Sequence, residues 1–116
     1  MPQITVGCSS VLEDSFARAV HEAAVGIAAA APEACRTLSR RGDRTAYGYE
    51  EPGQERHAVV HVTPGLLAGR SEETKERLTQ AVLDLLRTHV AAQDGLTLHA
   101  SAETRELDPS YRRFQR

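Results

Sequence analysis

From Gln3 to Ser9 the chain alternates, with Ile4, Val6 and Cys8 on one side and Gln3, Thr5 and Gly7 on the other. That is the period of a half-buried strand. Phe16, Ala19, Val20, Ala23, Ala24 and Ile27 then fall on one stripe, which predicts a helix from Glu13 to about Ala30, with Pro32 marking its end. Between Ala34 and Tyr49 the alternation of Cys35, Leu38, Ala46 and Tyr47 is broken by Gly42 and Asp43, as in a bent strand. Glu50 to Gln54 is polar and built around Pro52-Gly53, a turn signal, and Val59, Val60 and Val62 make Arg56 to Thr63 the arm of a second hairpin.

Pro64 to Arg70 reads as a loop. Ser71 follows as a helix N-cap with Glu72 and Glu73 in the first turn, where carboxylates suit the positive end of the helix dipole. Leu78, Ala81, Val82, Leu85, Leu86 and Val90 carry the helical stripe onward to a stop at Asp94-Gly95. Leu96, Leu98, Ala100 and Ala102 alternate within a last strand from Leu96 to Glu106. The order is β-α-β-β-α-β. Each strand-helix-strand crossover makes a right-handed parallel pair, so the expected class is α+β, one domain over residues 1–116, a four-stranded sheet with both helices on one face. The other face needs cover, and a second copy of the chain supplies it most simply.

Composition narrows the function. The chain has 116 residues, enough for one small core. Fourteen Lys and Arg against sixteen Asp and Glu leave a formal charge of -2, which lacks the basic excess of a nucleic-acid binder. No apolar run approaches the roughly 20 residues that span a bilayer, and no secretory leader is visible, so no membrane partner and a cytoplasmic location are expected. Cys8 and Cys35 are too few and too far apart for a disulfide framework and read as buried free thiols.

Candidate chemistry is sparse. Loss of Met1 exposes the secondary amine of Pro2 at the start of a strand. An α-amino group has a pKa of about 7.7 to 8.0, and nearby cations with partial desolvation bring it toward neutrality, where it serves as a general base. Proton abstraction next to a carbonyl also calls for fixed positive charge, and Arg70 stands just before a helix N-terminus that favours anions. Arg36, Arg40, Arg41 and Arg44 form the one local basic excess; if Cys35 faces the core, Arg36 faces the opposite side of the sheet, toward a shared subunit interface. His57 and His61 are four residues apart on a strand, about 13 Å, too far to share one metal ion. His21, His89 and His99 stand alone in the sequence, Ser101 and Ser110 show no His and Asp partners, and no phosphate-binding loop is present. No metal is expected.

Three segments together resemble the 5-carboxymethyl-2-hydroxymuconate Δ-isomerase family of the tautomerase superfamily: Met1-Pro2-Gln3-Ile4-Thr5-Val6, Val60-His61-Val62-Thr63 with Leu67-Ala68-Gly69-Arg70-Ser71, and Glu106-Leu107-Asp108-Pro109. The resemblance implies the tautomerase fold, a homotrimer without cofactor or metal, and a small-molecule carboxylate substrate. It also implies Pro2 as the acid/base of a keto-enol or 1,3-allylic proton shift and Arg70 as the substrate-carboxylate ligand. A second arginine on the strand after the first helix corresponds to Arg36 when Phe16-Ala17-Arg18 sets the register, with Arg40 or Arg41 as alternatives. The segment from Arg36 to Tyr49 departs from the family pattern, and the chain ends soon after Pro109. Decarboxylation, hydration and dehalogenation use the same proline and arginine elsewhere in the superfamily. The rivals are a catalytically silent trimeric scaffold and a ferredoxin-like module, the latter disfavoured by the lack of stacking aromatics for RNA.

Overall fold

The computed structural model describes residues 3–8, 12–42, 46–49, 56–91 and 95–116. Strand β1 (Gln3–Cys8) leads into helix α1 (Ser15–Ala28), and a single 3-10 turn over Pro32–Ala34 feeds strand β2 (Arg36–Arg41). Strand β3 (His57–Leu66), helix α2 (Glu72–His89), strand β4 (Thr97–Ala102) and a two-residue β5 (Arg105–Glu106) complete the order. The sheet runs β2-β1-β3-β4, with β5 beside the end of β3. β1 is parallel to β2 and antiparallel to β3, and β3 is parallel to β4. The sheet is therefore mixed, and both expected crossovers are present.

Three expectations about the strands need correction. β2 and β3 form no hairpin, because β1 lies between them. Pro64 to Leu66 are not loop but the end of β3, with Pro64 in register with Ile4 and fully buried. A proline lacks the N–H that a ladder needs, yet β4 stops opposite Val62 and β5 resumes opposite Gly65, so Pro64 falls at a gap on that side. The expected last strand divides into β4 and β5. The Pro52-Gly53 turn and the Asp94 half of the helix stop lie outside the described residues.

Helix α1 ends before Pro32, by a different device. Ala29 takes the left-handed conformation at φ 56°, and the Ala30 N–H returns to the Ala24 carbonyl at 3.2 Å. Helix α2 starts as the sequence predicts: Ser71 Oγ accepts the Thr74 N–H at 3.1 Å, with Glu72 and Glu73 in the first turn and Arg87 and His89 in the last.

The core lies between sheet and helices. Ile4, Val6, Val60, Val62 and Leu66 meet Phe16, Val20, Leu78, Val82 and Leu86, each almost wholly removed from water. Burying a side chain of this kind is worth about 1.5–3 kcal/mol. The start of α1 is tied to the end of α2: the Glu13 N–H donates to the His89 carbonyl at 3.0 Å, and His89 Nδ1 sits 3.1 Å from Ser15 Oγ and 3.4 Å from the Glu13 carboxylate. Lys75 spans from Glu72 (2.7 Å) to Glu106 (3.6 Å), holding α2 to β5, and the Glu72 hydrogen bond raises its ammonium above the ordinary lysine value. Both cysteines are free but only half-buried, a correction to the buried pair expected.

Candidate active site

One end of the sheet gathers two of the arginines singled out by sequence, Arg36 and Arg70. Gln3 opens β1 in register with Arg36, the first residue of β2, on one side and with Gly65 of β3 on the other. β3 ends at Leu66, and four residues later the chain reaches Arg70. Pro2 lies outside the described residues.

Arg70 is held by backbone. Its Nε donates to the Ala28 carbonyl at 3.1 Å and one Nη to the Leu67 carbonyl at 3.2 Å. The left-handed turn at Ala29 ends α1 there, and a C-terminal carbonyl without an intrahelical partner is a natural seat for a guanidinium. Two of the five N–H donors of the guanidinium are used in this way, which leaves the rest for an anion. Around it lies an open depression of about 440 Å³ whose walls include Ile27, Ala28, Gly69, Ser71 and Thr74. Gly69 has φ 121°, a conformation that only glycine adopts readily. The α2 N-terminus adds its dipole to the Arg70 charge, so the depression favours a carboxylate.

Arg36 alternates with the core-facing Thr37 and stands on the sheet face away from the helices, as expected; the His21 to Thr37 contact at 2.7 Å confirms which side α1 covers. It shares the sheet end with Arg70 but is not part of the Arg70 depression. Arg40 is in register with Gly7, four strand residues or about 13 Å from Arg36. It lines a separate depression of about 360 Å³ with Arg41, Cys8, Glu13 and Asp14. The structure thus brings Arg36 and Arg70 to one end and leaves Arg40 and Arg41 toward the other. Cys35, beside Arg36, donates from Sγ to the Ala31 carbonyl at 3.5 Å, and burial pushes its thiol up, away from the nucleophilic thiolate.

The third segment of the resemblance has a structural role. The Leu107 N–H donates to the Leu66 carbonyl at 2.7 Å, and its side chain lies over Gly65, where an added Cβ would stand 2.8 Å from Leu107 Cδ2 and 3.1 Å from the Gln3 carbonyl. Asp108 accepts the Ser110 N–H at 2.8 Å, and hydrogen bonding to Ser110 holds its carboxyl below the ordinary value. Glycine at position 65 is what lets the C-terminal segment pack against the start of β1.

Sequence reasoning missed a histidine cluster. His99 is not alone: its Nε2 lies 2.9 Å from His57 Nδ1, and the Tyr47 ring stacks on both imidazoles at 4.2 Å. His61 Nδ1 meets Ser101 Oγ at 2.7 Å, but the pair lacks a carboxylate partner among the described residues. The signal was present in the alternation, since His57 and His61 on β3 and His99 and Ser101 on β4 share one parity. It becomes readable only with the pairing register. Among the described residues no group of three or more His, Cys, Asp or Glu side chains is placed to hold a metal, and no helix is long and apolar enough to cross a membrane.

No family model matches the chain. A curated relative, 5-carboxymethyl-2-hydroxymuconate Delta-isomerase of Escherichia coli, is 37% identical over 59 residues, which is 50% of this chain and 47% of that protein. The match therefore spans about half of each. A solved 5-carboxymethyl-2-hydroxymuconate delta-isomerase superposes with a TM-score of 0.80 over 99% of this chain and 88% of its own, at 14% identity. The chain has the tautomerase fold. A 5-carboxymethyl-2-hydroxymuconate isomerase from Deinococcus radiodurans R1 gives a TM-score of 0.68 at 24% identity, covering 98% of this chain and 90% of its own. A fused 4-OT solved as a symmetric trimer gives 0.66 at 16% identity, covering 97% and 93%. This agrees with the resemblance and with the element order read from hydrophobic spacing.

Proposed function

We propose that the chain is a trimeric, cofactor-independent isomerase that moves a proton within an unsaturated 2-oxo or 2-hydroxy carboxylic acid such as 5-carboxymethyl-2-hydroxymuconate. The Pro2 amine, freed by loss of Met1, takes a proton from the carbon beside the carbonyl. The electron pair moves onto the oxygen as a dienolate, and the protonated amine returns the proton at the far carbon of the allylic system. Arg70 binds the carboxylate, and Arg36 stands as the second cation against the oxygen on which charge develops. The observation that carries this reading is the gathering of Arg36, the β1 start and the Arg70 depression at one end of the sheet. The half-length match to a named isomerase and the fold support the same conclusion.

The test combines intact-mass measurement of the N-terminus with ketonisation of a simple 2-hydroxydienoate by the same sample. Met1 is expected to be absent, and Pro2→Ala is expected to lower kcat/KM by about 10²–10⁴-fold. Equal turnover by that variant removes Pro2 from the reaction. Arg70→Ala is expected to raise KM about tenfold or more while Arg70→Lys recovers part of the loss. A loss that follows the melting temperature in both variants would make Arg70 structural. Carbon dioxide release from a β-keto acid, with no isomerisation, would favour the decarboxylase chemistry instead.

A further inference from the structure

Lys75 is the one lysine among the fourteen Lys and Arg residues of the chain, and its side chain is only 16% exposed. Lysines ordinarily keep their heads in water. This one directly follows Thr74, which walls the Arg70 depression. Its Nζ stands 2.7 Å from a Glu72 carboxylate oxygen and 3.6 Å from one of Glu106. The Glu72 contact stays within the first turn of one helix, whereas the Glu106 contact joins α2 to β5.

The two ends of that second contact belong to different parts of the candidate site. The Lys75 N–H donates to the Ser71 carbonyl at 3.1 Å, so its backbone belongs to the turn that follows Arg70. Glu106 is in register with Leu66 at the end of β3, and Leu107 then bonds back to the Leu66 carbonyl and covers Gly65. Gly65 is in turn paired with Gln3, the residue after Pro2. One turn further along the same face of α2, Thr79 Oγ1 lies 2.8 Å from Thr104 Oγ1, in the segment between β4 and β5. The two side-chain contacts clamp α2 to the segment that packs on the start of β1, and the Lys75 contact is the one beside Leu107.

We propose that Lys75 is a positioning residue for the isomerisation: by holding Glu106 against the α2 turn it seats Leu107 over the start of β1, and so fixes the acid/base amine relative to an anion anchored at Arg70. The inference rests on the function proposed above. The Lys75 ammonium is engaged by carboxylates and is not part of the wall of the Arg70 depression, so it acts through Glu106 and Leu107 and not on the substrate. Proton transfer requires the anchored anion to present its carbon within reach of the amine, and a displacement of about 1 Å can cost about 10²-fold in rate. Arg70 keeps its own anchors on the Ala28 and Leu67 carbonyls when Lys75 is removed. Binding therefore survives while turnover falls. Because Glu106 remains partly in water, the pair adds little to stability, and its effect is read in turnover.

The test is ketonisation of the same 2-hydroxydienoate by Lys75→Met, Lys75→Arg, Glu106→Gln and the double variant Lys75→Met, Glu106→Gln, with Tm measured for each. Lys75→Met is expected to lower kcat about tenfold and to leave KM within about twofold of the parent, whereas the loss at Arg70 falls on KM. Lys75→Arg is expected to recover most of kcat, since a second cation that reaches Glu106 serves the same purpose. Glu106→Gln is expected to lower kcat in the same way, and the double variant to be no slower than the slower single variant. Unchanged kcat in Lys75→Met, a loss that falls on KM, no recovery in Lys75→Arg, a loss that follows Tm across the variants, or losses at Lys75 and Glu106 that multiply would each overturn the inference and leave Pro2 and Arg70 in place. A parent without turnover overturns the proposed function and the inference with it. Amide exchange at Leu107 gives a readout free of the assay: it is expected to quicken about tenfold in Lys75→Met and in Glu106→Gln, and unchanged exchange overturns the seating of Leu107 by Lys75.

Discussion

The two faces of the sheet differ in what holds them. Toward the helices, Ile4, Val6, Val60 and Val62 are sealed under Phe16, Val20, Leu78 and Val82, and the face is stabilised by non-directional apolar burial. Away from the helices, Thr5, His61 and Thr63 alternate with those same strand residues, and the contacts are directional: imidazole to imidazole, imidazole to hydroxyl, ring on ring. One face fixes the fold of the chain by burial, whereas the other is held by individual polar and ring contacts. A period-2 strand permits this division of labour because neighbouring side chains never share a side.

The sharpest way to break the comparison is to damage each face equally. Phe16→Ala, on the helix side, is expected to cost about 3–5 kcal/mol and to leave little folded protein at 37 °C. His61→Ala, on the open side, is expected to shift the stability of the isolated chain by about 0.5 kcal/mol or less. Urea denaturation of both variants decides it, and comparable losses would mean that the open face is packed like a core. A smaller effect is expected at Gly65, the point where the alternation of the open face passes beneath Leu107. Gly65→Val puts carbon against Leu107 and the Gln3 carbonyl, with an expected loss of about 1–3 kcal/mol and faster amide exchange at Leu107. Unchanged exchange would show that the C-terminal segment yields without cost. A smaller effect, of opposite sign, concerns the helix layer: Ala29→Gly relieves a left-handed alanine and is expected to raise stability by about 0.5–1 kcal/mol, seen as a small rise in Tm. A fall in Tm would mean that chain entropy outweighs the relief.

Periodicity made β1, α1 and α2 legible, and the Ser71 cap was readable because the capping residue and its carboxylates are adjacent in sequence. Strand neighbours were not. Nothing in the spacing of Arg56 to Thr63 says that β1, some fifty residues earlier, separates it from β2. The reach of β3 through Pro64 was hidden for a similar reason, since a proline is acceptable in a strand only where the adjacent ladder is interrupted, and that gap is a property of β4 and β5. At the candidate site Arg70 was visible from its Gly69 and Ser71 neighbours, whereas the contrast between Arg36 and Arg40 required the register with Gln3 and Gly7. The His57–His99 contact joins residues 42 apart in sequence, and a search along one strand for ligand spacing passes over it.

The anchoring of Arg70 on the main-chain oxygens of Ala28 and Leu67 has an evolutionary corollary. A guanidinium held by peptide groups does not depend on which amino acids supply them, so the pose of the arginine places no demand of its own on either side chain, although packing in the core still constrains Ala28. Homologues of such a site are better sought by superposing helix ends than by aligning letters, and a chain can diverge until little but its backbone testifies to kinship.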